Sequence, residues 1–132
     1  MLVVGLSLVG CGSDVTRPPV ALGLVVQDLV VGNGAVAERG DTIVVNYSGW
    51  LTDSTLFDSS WRHGPMWFVL GTGQLIRGWD LGMPGTREGG TRRLVIPSEY
   101  AYGEQGVPGV IPANATLVYE VTLYEVRSPR SR

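Results

Sequence analysis

The chain of 132 residues is long enough for one domain with a hydrophobic core and too short for two. Its residues are 44% hydrophobic and 17% charged, which excludes a disordered chain, and a net charge of -2 with no lysine argues against a nucleic-acid-binding surface. One cysteine and one histidine exclude an internal disulfide and argue against a metal site, so we expect neither a metal nor a cofactor.

The amino-terminal stretch MLVVGLSLVGCG is a short apolar run that stops at Cys11. It is too short to span a bilayer and has the length of a signal-peptide core. Residues 8–11, Leu-Val-Gly-Cys, resemble the bacterial lipobox, in which the cysteine is acylated and becomes the first residue of the mature protein. The alternative is an ordinary buried or terminal cysteine, which the absence of a basic segment before the apolar run favours.

We therefore expect residues 1–11 to be a signal segment with Cys11 as the lipid anchor, and residues 12–21 to be a flexible tether rich in polar residues, Pro and Gly. The domain is expected over residues 22–127, followed by a disordered tail at 128–132. This places the protein in the cell envelope, on the periplasmic side of a bacterial membrane. Gly12, in place of an aspartate, favours the outer membrane. If the segment is not removed, the protein is cytoplasmic.

Hydrophobic periodicity predicts strands over residues 24–31, 42–51, 66–71, 91–97 and 115–126. In TIVVNYSGWL (42–51) the alternation places Ile43, Val45, Tyr47 and Leu51 on one face, and in the last strand it turns Leu117, Tyr119, Val121 and Leu123 inward. One short helix is predicted over residues 77–81, ended by Gly82 and Pro84. About five antiparallel strands with one helix define an α+β domain.

The segment YAYGEQGVPGVIPANA (100–115) is interrupted by glycine and proline, so neither a helix nor a strand can continue through it. Its two tyrosines and its aliphatic residues are unusual for a solvated or disordered loop. Long irregular loops inside compact domains are usually functional when they are ordered. We therefore expect an ordered loop that contributes to a site.

Acid-base, covalent and nucleotide chemistry find no support in the sequence. His63 lies in the turn-like segment WRHGP and is expected to be solvated, and no serine occupies a G-x-S-x-G motif. Asp53 and Asp58 are separated by a turn-rich segment, where exposed aspartates are common. Phe68, Leu94 and Leu117 are expected in the core, whereas Trp79, beside glycines on a short helix, either fills the core or forms the floor of a concave site.

Five colinear segments between about Leu24 and Val126 resemble the FKBP-type peptidyl-prolyl cis-trans isomerases: VVNYSGWL, LFDSS, LGTGQLIRGWDLGM, VIPSEYAYGEQG and GVIPANATLVYEVTL. The resemblance implies a twisted antiparallel sheet wrapped around the helix, with a proline-binding pocket between them. It also implies isomerisation of X-Pro bonds in proline-containing segments of client proteins, which would assist folding at the cell envelope. A proline-binding or chaperone module with little turnover is the alternative, against which the presence of Asp58, Tyr102 and Trp79 argues.

The same resemblance implies roles for individual residues. Trp79 would be the pocket floor, and Asp58 and Tyr102 the catalytic residues, with Asp58 hydrogen-bonded to Tyr47 and the Tyr102 hydroxyl donating to a substrate carbonyl. The Ile76 N-H would donate to a second carbonyl, and residues 102–111 would roof the pocket. The other implied substrate contacts are Tyr47, Phe57, Met66, Leu75, Val110, Ile111 and Tyr119.

Three departures from the family pattern affect the expected rim of the pocket. Met66 stands where many members have an aromatic residue, Val107 stands where a histidine is frequent, and the segment between Ser60 and Pro65 is one residue shorter. Substrate preference and affinity for macrolides such as rapamycin, the expected small-molecule partners, therefore depend on these positions. Gln74 also replaces a common acidic residue, with little expected effect because that position acts through its backbone.

Overall fold

The computed structural model describes residues 23–129, which fold into one antiparallel sheet and one short α-helix. The strands are β1 (Val25–Val30), β2 (Thr42–Leu51), β3 (Leu56–Ser59), β4 (Met66–Val69), β5 (Thr91–Ile96) and β6 (Leu117–Arg127), and the helix is α1 (Arg77–Gly82). The predicted α+β architecture is confirmed. The predicted signal segment 1–11 with Cys11, the tether 12–21 and residues 130–132 of the predicted tail lie outside the described residues.

The sheet has six strands where about five were predicted, because β3 was missed. Its four residues, LFDS, lie between two turn-rich segments and are too few to show an alternation. The strand forms through its antiparallel pairing with β2, in which Ser48 lies opposite Ser59 and Gly49 opposite Asp58. Pairing with a neighbouring strand therefore supplies what the local sequence lacks.

The strand order is β1-β5-β6-β2-β3, with β4 paired to the first half of β2. The two longest strands, β2 and β6, run side by side from the pair Thr42–Arg127 to the pair Leu51–Leu117. A register shift between Val44 and Val45 interrupts this ladder. Such bulges bend a strand and increase its local twist.

The hydrophobic core lies between α1 and the concave face of the sheet. The inward residues predicted on β6 are confirmed, since Leu117, Tyr119, Val121 and Leu123 are all buried. On β2, Asn46 lies on the opposite face from Ile43 and Val45 and is also buried. Its burial is compensated by hydrogen bonds, because its Oδ1 accepts from Ser60 Oγ at 2.7 Å and its Nδ2 donates to Tyr124 Oη at 3.2 Å.

The helix α1 is too short to be stable by itself and is held by its contacts with the sheet. Gly82 allows close packing, because a Cβ at this position would lie 2.7 Å from Leu94 Cδ2. Arg92 of β5 donates from Nη1 to the carbonyl oxygens of Gly82 at 2.9 Å and Pro84 at 3.1 Å. The same guanidinium pairs with Asp28 of β1, with Nε 2.7 Å from Oδ1. One buried side chain thus fixes the end of the helix to two strands.

Candidate active site

A cavity of about 370 Å³ opens between α1, the sheet and the loop that follows β5. Trp79, only 2% exposed, is at the centre of its aromatic wall. Its indole makes edge-on contacts with Tyr47 and Tyr119, each at 5.3 Å between ring centroids, and with Phe68 at 5.7 Å. The lining residues are Tyr47, Asp58, Phe68, Gly73, Gln74, Leu75, Ile76, Trp79, Tyr102 and Tyr119.

A hydrogen bond between Tyr47 and Asp58 forms one side of the cavity. The Tyr47 hydroxyl donates to Asp58 Oδ2 at 2.9 Å, which is the contact that the family resemblance implied. Ser60 positions the tyrosine, because its Oγ accepts the Tyr47 backbone N-H at 2.8 Å. Burial raises the pKa of Tyr47, and the hydrogen bond to the Asp58 carboxylate raises it further. Tyr47 is therefore a neutral donor at physiological pH.

The phenol of Tyr102, from the loop that follows β5, also lines the cavity. It makes no hydrogen bond to any residue in the described part of the chain, and the side chain is 39% exposed. Burial of the ring raises the pKa of Tyr102, and the nearby Asp58 charge adds to the effect. The phenol is consequently protonated and is available to donate a hydrogen bond to a bound molecule.

The backbone that leads into α1 forms the third side of the cavity. Asp80 holds this segment by accepting the N-H groups of Gly71 at 2.9 Å and Gly73 at 3.2 Å. Gln74 Oε1 accepts the Val69 N-H at 2.8 Å. Ile76 precedes the helix, and its N-H has no hydrogen-bond acceptor among residues 23–129. The cavity therefore has a second available donor, supplied by the backbone.

The loop over residues 100–115 is ordered by its own backbone hydrogen bonds, as the sequence predicted. The N-H of Val107 donates to the Ile111 carbonyl and the N-H of Ile111 to the Val107 carbonyl, each at 2.8 Å. Gly106 N-H donates to the Tyr102 carbonyl at 3.0 Å. Gly106 has a φ of +58°, and a Cβ there would clash with the Ile111 carbonyl oxygen. This glycine lets the loop fold tightly enough to hold Tyr102 over the cavity.

Four of the residues expected at the pocket do not line the cavity: Phe57, Met66, Val110 and Ile111. Ile111 points into the core and is only 5% exposed, whereas Val110 is 49% exposed, because the tight Val107–Ile111 turn separates neighbouring side chains. Met66 is exposed at the first residue of β4. Phe57 lies behind the wall, edge-on to Tyr119 at 5.7 Å.

Phe68 is the aromatic lining residue that the sequence interpretation placed in the core instead. It contacts Trp79 and also lines the cavity. Strand periodicity puts Phe68 on the same face of β4 as Met66, which does not line the cavity, so this pattern gave no signal for the placement.

The described residues give little support for catalysis by a histidine or by a metal ion. The histidine, His63, is exposed in the loop between β3 and β4 and does not line the cavity. Within residues 23–129 there is no group of three or more His, Cys, Asp or Glu side chains that could hold a metal ion. The same residues include no helix that is long and apolar enough to cross a membrane.

Comparison with known proteins identifies the family. Residues 34–124 match the model of the FKBP-type peptidyl-prolyl cis-trans isomerases. The chain is 51% identical over 105 residues to an FK506-binding protein of Neisseria meningitidis serogroup B, covering 79% of this chain and 96% of that protein.

Two solved structures have the same fold. A peptidyl-prolyl cis-trans isomerase from Pseudomonas syringae pv. tomato matches with a TM-score of 0.75 and 32% identity, covering 89% of this chain and 87% of the other. AtFKBP13 matches with a TM-score of 0.74 and 36% identity, covering 80% and 94%. The chain belongs to the FKBP-type peptidyl-prolyl cis-trans isomerase family, and its enzymatic class is that of the family.

Proposed function

We propose that the cavity binds the proline of an X-Pro segment, with the pyrrolidine ring against Trp79. The observation that carries this proposal is the combination of an aromatic floor with two available donors, the Tyr102 hydroxyl and the Ile76 N-H. Proline has an apolar ring and no N-H, so a peptide on either side of it offers mainly carbonyl acceptors. The two donors and the apolar floor match that chemistry.

The energy required is within the range of such a site. Rotation about an X-Pro amide has a barrier of roughly 18 to 20 kcal/mol and takes tens to hundreds of seconds without a catalyst. A turnover of about 10 to 1,000 per second requires three to five decades of acceleration, or about 4 to 7 kcal/mol. No covalent bond is broken, so positioning and removal of water supply this amount without a nucleophile or a general base.

The acceleration arises because the cavity disfavours the planar amide more than the twisted one. Twisting removes resonance and lowers the charge on the carbonyl oxygen, so an apolar cavity destabilises the planar ground state selectively. The Asp58 carboxylate acts in the same direction when it faces that oxygen, because repulsion is greatest in the planar amide. Tyr102 and Ile76 hold the flanking carbonyls and fix the peptide while its X-Pro bond rotates.

Isomerisation of a panel of X-Pro peptides, followed by NMR exchange, tests the proposal. We expect saturable acceleration that is reduced in Tyr102→Phe and largely lost when Trp79 is replaced by leucine. Trp61→Leu, the same change at an exposed residue that does not line the cavity, is the matched control and should keep the wild-type rate. Saturable peptide binding at the cavity with no acceleration would establish the binding-module alternative. Acceleration that survives loss of the Trp79 ring would place the activity elsewhere.

The residues that differ from the family pattern at the expected rim of the pocket set the preference among substrates and macrolides. Met66 and Val110 are exposed and do not line the cavity, and Val107 is half-buried in the loop over residues 100–115. We propose that the domain binds macrolides such as rapamycin in the same cavity, with weaker contacts where Met66 replaces an aromatic residue. Competition between rapamycin and a proline peptide tests this, and Met66→Phe should tighten macrolide binding. Simultaneous binding of both ligands would contradict a shared site.

We further propose that the enzyme acts on client proteins at the cell envelope, anchored through a lipid on Cys11. The support is the apolar run that ends in a lipobox-like Leu-Val-Gly-Cys at residues 8–11. Fatty-acid labelling and membrane fractionation of the wild type and Cys11→Ala test the anchor. We expect label and membrane association only in the wild type, and outer-membrane retention because Gly12 follows the cysteine. A soluble, unlabelled wild type would favour the cytoplasmic alternative.

A further inference from the structure

The sheet face opposite α1 carries an apolar row that crosses four strands. Cross-strand pairing places Val25 of β1 opposite Val95 of β5, Val95 opposite Val118 of β6, and Val118 opposite Trp50 of β2. Val25 is 52% exposed, and the other three side chains are half-buried. We call these four residues the outer row. It lies on the other side of the sheet from the proposed proline cavity.

A second, smaller cavity lies at the Trp50 end of the outer row. Its volume is about 200 Å³, and it is lined by Trp50, Leu51, Thr52, Ser54, Arg93, Val118 and Glu120. Arg93 supplies an unsatisfied group, because its Nε is buried and has no hydrogen-bond partner among the described residues. The rest of the guanidinium lines the cavity and carries only donors, so this cavity is suited to a ligand that brings acceptor groups and apolar surface.

The chain that precedes the described domain arrives at the same end of the sheet. Gly23 has a φ of +85°, and a Cβ there would be 3.3 Å from Pro97 Cγ, just beyond the pairing of β1 with β5. The residues immediately before Gly23 read Arg-Pro-Pro-Val-Ala-Leu (17–22). Adjacent prolines favour an extended polyproline conformation, which offers ring surface and backbone carbonyl acceptors without N-H groups. Those are the groups that the Trp50–Arg93 cavity requires.

The residues before Gly23 are long enough to reach the cavity at Trp50. β1 and β2 are separated by β5 and β6 in the sheet, and neighbouring strands are about 4.8 Å apart, so roughly 14 Å separates β1 from β2. A polyproline chain advances about 3.1 Å per residue, so roughly five residues cover that distance. Counting back by that number from Gly23 reaches Pro18. A segment crossing the sheet end from Gly23 therefore brings Pro18 and Pro19 to Trp50.

We propose that residues 18–22 of this chain dock along the outer row, with Pro18 and Pro19 in the cavity formed by Trp50 and Arg93. A proline carbonyl accepts from the Arg93 guanidinium that lines the cavity, and a pyrrolidine ring packs on the Trp50 indole, which is the usual recognition of polyproline segments by aromatic side chains. In a protein anchored at Cys11, the free tether shortens to residues 12–17. The outer row then faces the anchor side, and the opposite face of the sheet, with the proposed active site, is turned away.

NMR of the full chain carrying Cys11→Ser tests the proposal. We expect contacts between proline ring protons and the Trp50 indole. The double variant Pro18→Ser, Pro19→Ser should lose these contacts and shift the signals of Trp50, Arg93 and Val118. Val15→Ser, a change of similar chemistry earlier in the tether, is the matched control and should leave those signals unchanged.

Each other outcome overturns the docked tether. Unchanged Trp50 and Arg93 signals in the double variant would mean that the segment does not occupy the outer row. Shifts at Trp79 and Tyr102 instead would mean that the tether prolines enter the opposite cavity. Contacts that appear only at higher protein concentration would assign the segment to a second copy of the chain. Arg93→Gln is an independent test, because it should abolish the NMR contacts between the proline rings and Trp50. If those contacts persist in this variant, Arg93 does not hold the segment.

Discussion

The side chains that line the cavity differ in how deeply they are buried in the core. Trp79 is almost fully buried and contacts three other aromatic rings, so it supports the fold as well as the cavity wall. Tyr102 is well exposed and its hydroxyl has no partner in the described protein. The two residues line the same cavity, but substitutions at them should have different consequences.

We predict that Trp79→Ala lowers the free energy of unfolding by about 3 to 5 kcal/mol, the usual cost of removing a large buried ring. Tyr102→Phe should leave stability within about 0.5 kcal/mol of the wild type, because it removes no internal hydrogen bond. Its loss of one hydrogen bond to the substrate, worth about 0.5 to 1.5 kcal/mol, should reduce kcat/KM by about tenfold at most. Chemical denaturation and peptide isomerisation measure both effects. Equal destabilisation by the two variants would contradict the different roles.

The buried tyrosines should make the fold sensitive to alkaline pH. Burial raises the pKa of Tyr119, and the neighbouring Tyr102 and Asp58 add to the effect. The folded state therefore keeps the phenol protonated at pH values where an unfolded tyrosine, with a pKa of about 10, ionises. The stabilisation from the neutral phenol is complete below about pH 10 and is lost as pH rises above it.

Tyr119→Phe removes that ionisation and should flatten the loss of stability above pH 10. The measurement is denaturant unfolding of both proteins from pH 8 upward, compared as differences so that other ionising groups cancel. Below pH 10 the difference in the free energy of unfolding between the two proteins should be constant. A difference that does not change as the pH rises further would show that the hydroxyl of Tyr119 ionises equally in both states.

At the level of secondary-structure elements, the position of α1 depends on Arg92. A helix of six residues has little stability of its own, and this guanidinium joins its end to Asp28 and to the carbonyls of Gly82 and Pro84. Because Trp79 lies on that helix, the cavity depends on a side chain that does not touch it. Arginine is suited to this position by its planar fork of donors, which lysine lacks.

We predict that Arg92→Lys destabilises the protein by more than about 2 kcal/mol, because it leaves buried acceptors and the Asp28 carboxylate incompletely paired. Arg127→Lys is the matched control. It changes an exposed pair with Glu125 at 2.8 Å and an exposed contact with the Trp67 ring at 4.3 Å, and should cost less than about 1 kcal/mol. Thermal unfolding of both variants decides the matter, and similar melting temperatures for the two would contradict a special role for Arg92.

The loop after β5 offers a test at glycines that differ only in their surroundings. Gly106 and Gly109 both have positive φ, at +58° and +77°, but a Cβ at Gly109 meets nothing within 4 Å. Gly109→Ala should cost about 1 to 2 kcal/mol from backbone strain alone. Gly106→Ala should cost clearly more and should also lower kcat/KM, because the clash with the Ile111 carbonyl displaces the loop that holds Tyr102. Equal effects of the two variants on activity would contradict this view.

An element could be predicted from the sequence when the residues that cause it are close together in the chain. The alternation in β2 and β6 and the Gly and Pro residues after α1 are local signals, and those elements were predicted closely. The strand β3 depends on pairing with β2, which no local pattern records. Similarly, the opposite directions of Val110 and Ile111 are set by a turn whose hydrogen bonds close only in the folded loop.

In the whole molecule, the curved sheet separates two faces with different properties. The concave face holds α1, the core and the aromatic cavity, whereas the other face carries the outer row and the partly buried Arg93. The cavity side presents donors and apolar surface but no histidine or cysteine among its lining residues. That composition suits the rotation of a bond better than proton transfer, and it determines how the rate should depend on pH.

We predict that kcat/KM for a proline peptide is nearly constant from pH 5.5 to 8.5. Histidine is the side chain that ordinarily titrates in this range, and His63 lies exposed outside the cavity. Burial raises the pKa values of Tyr47, Tyr102 and Tyr119, so these phenols stay protonated throughout. A direct NMR exchange measurement avoids the pH dependence of a coupling protease, and His63→Gln serves as the control. A bell-shaped profile, or a solvent deuterium effect near two, would mean that a proton moves in the transition state and that Asp58 or His63 takes part as an acid or base.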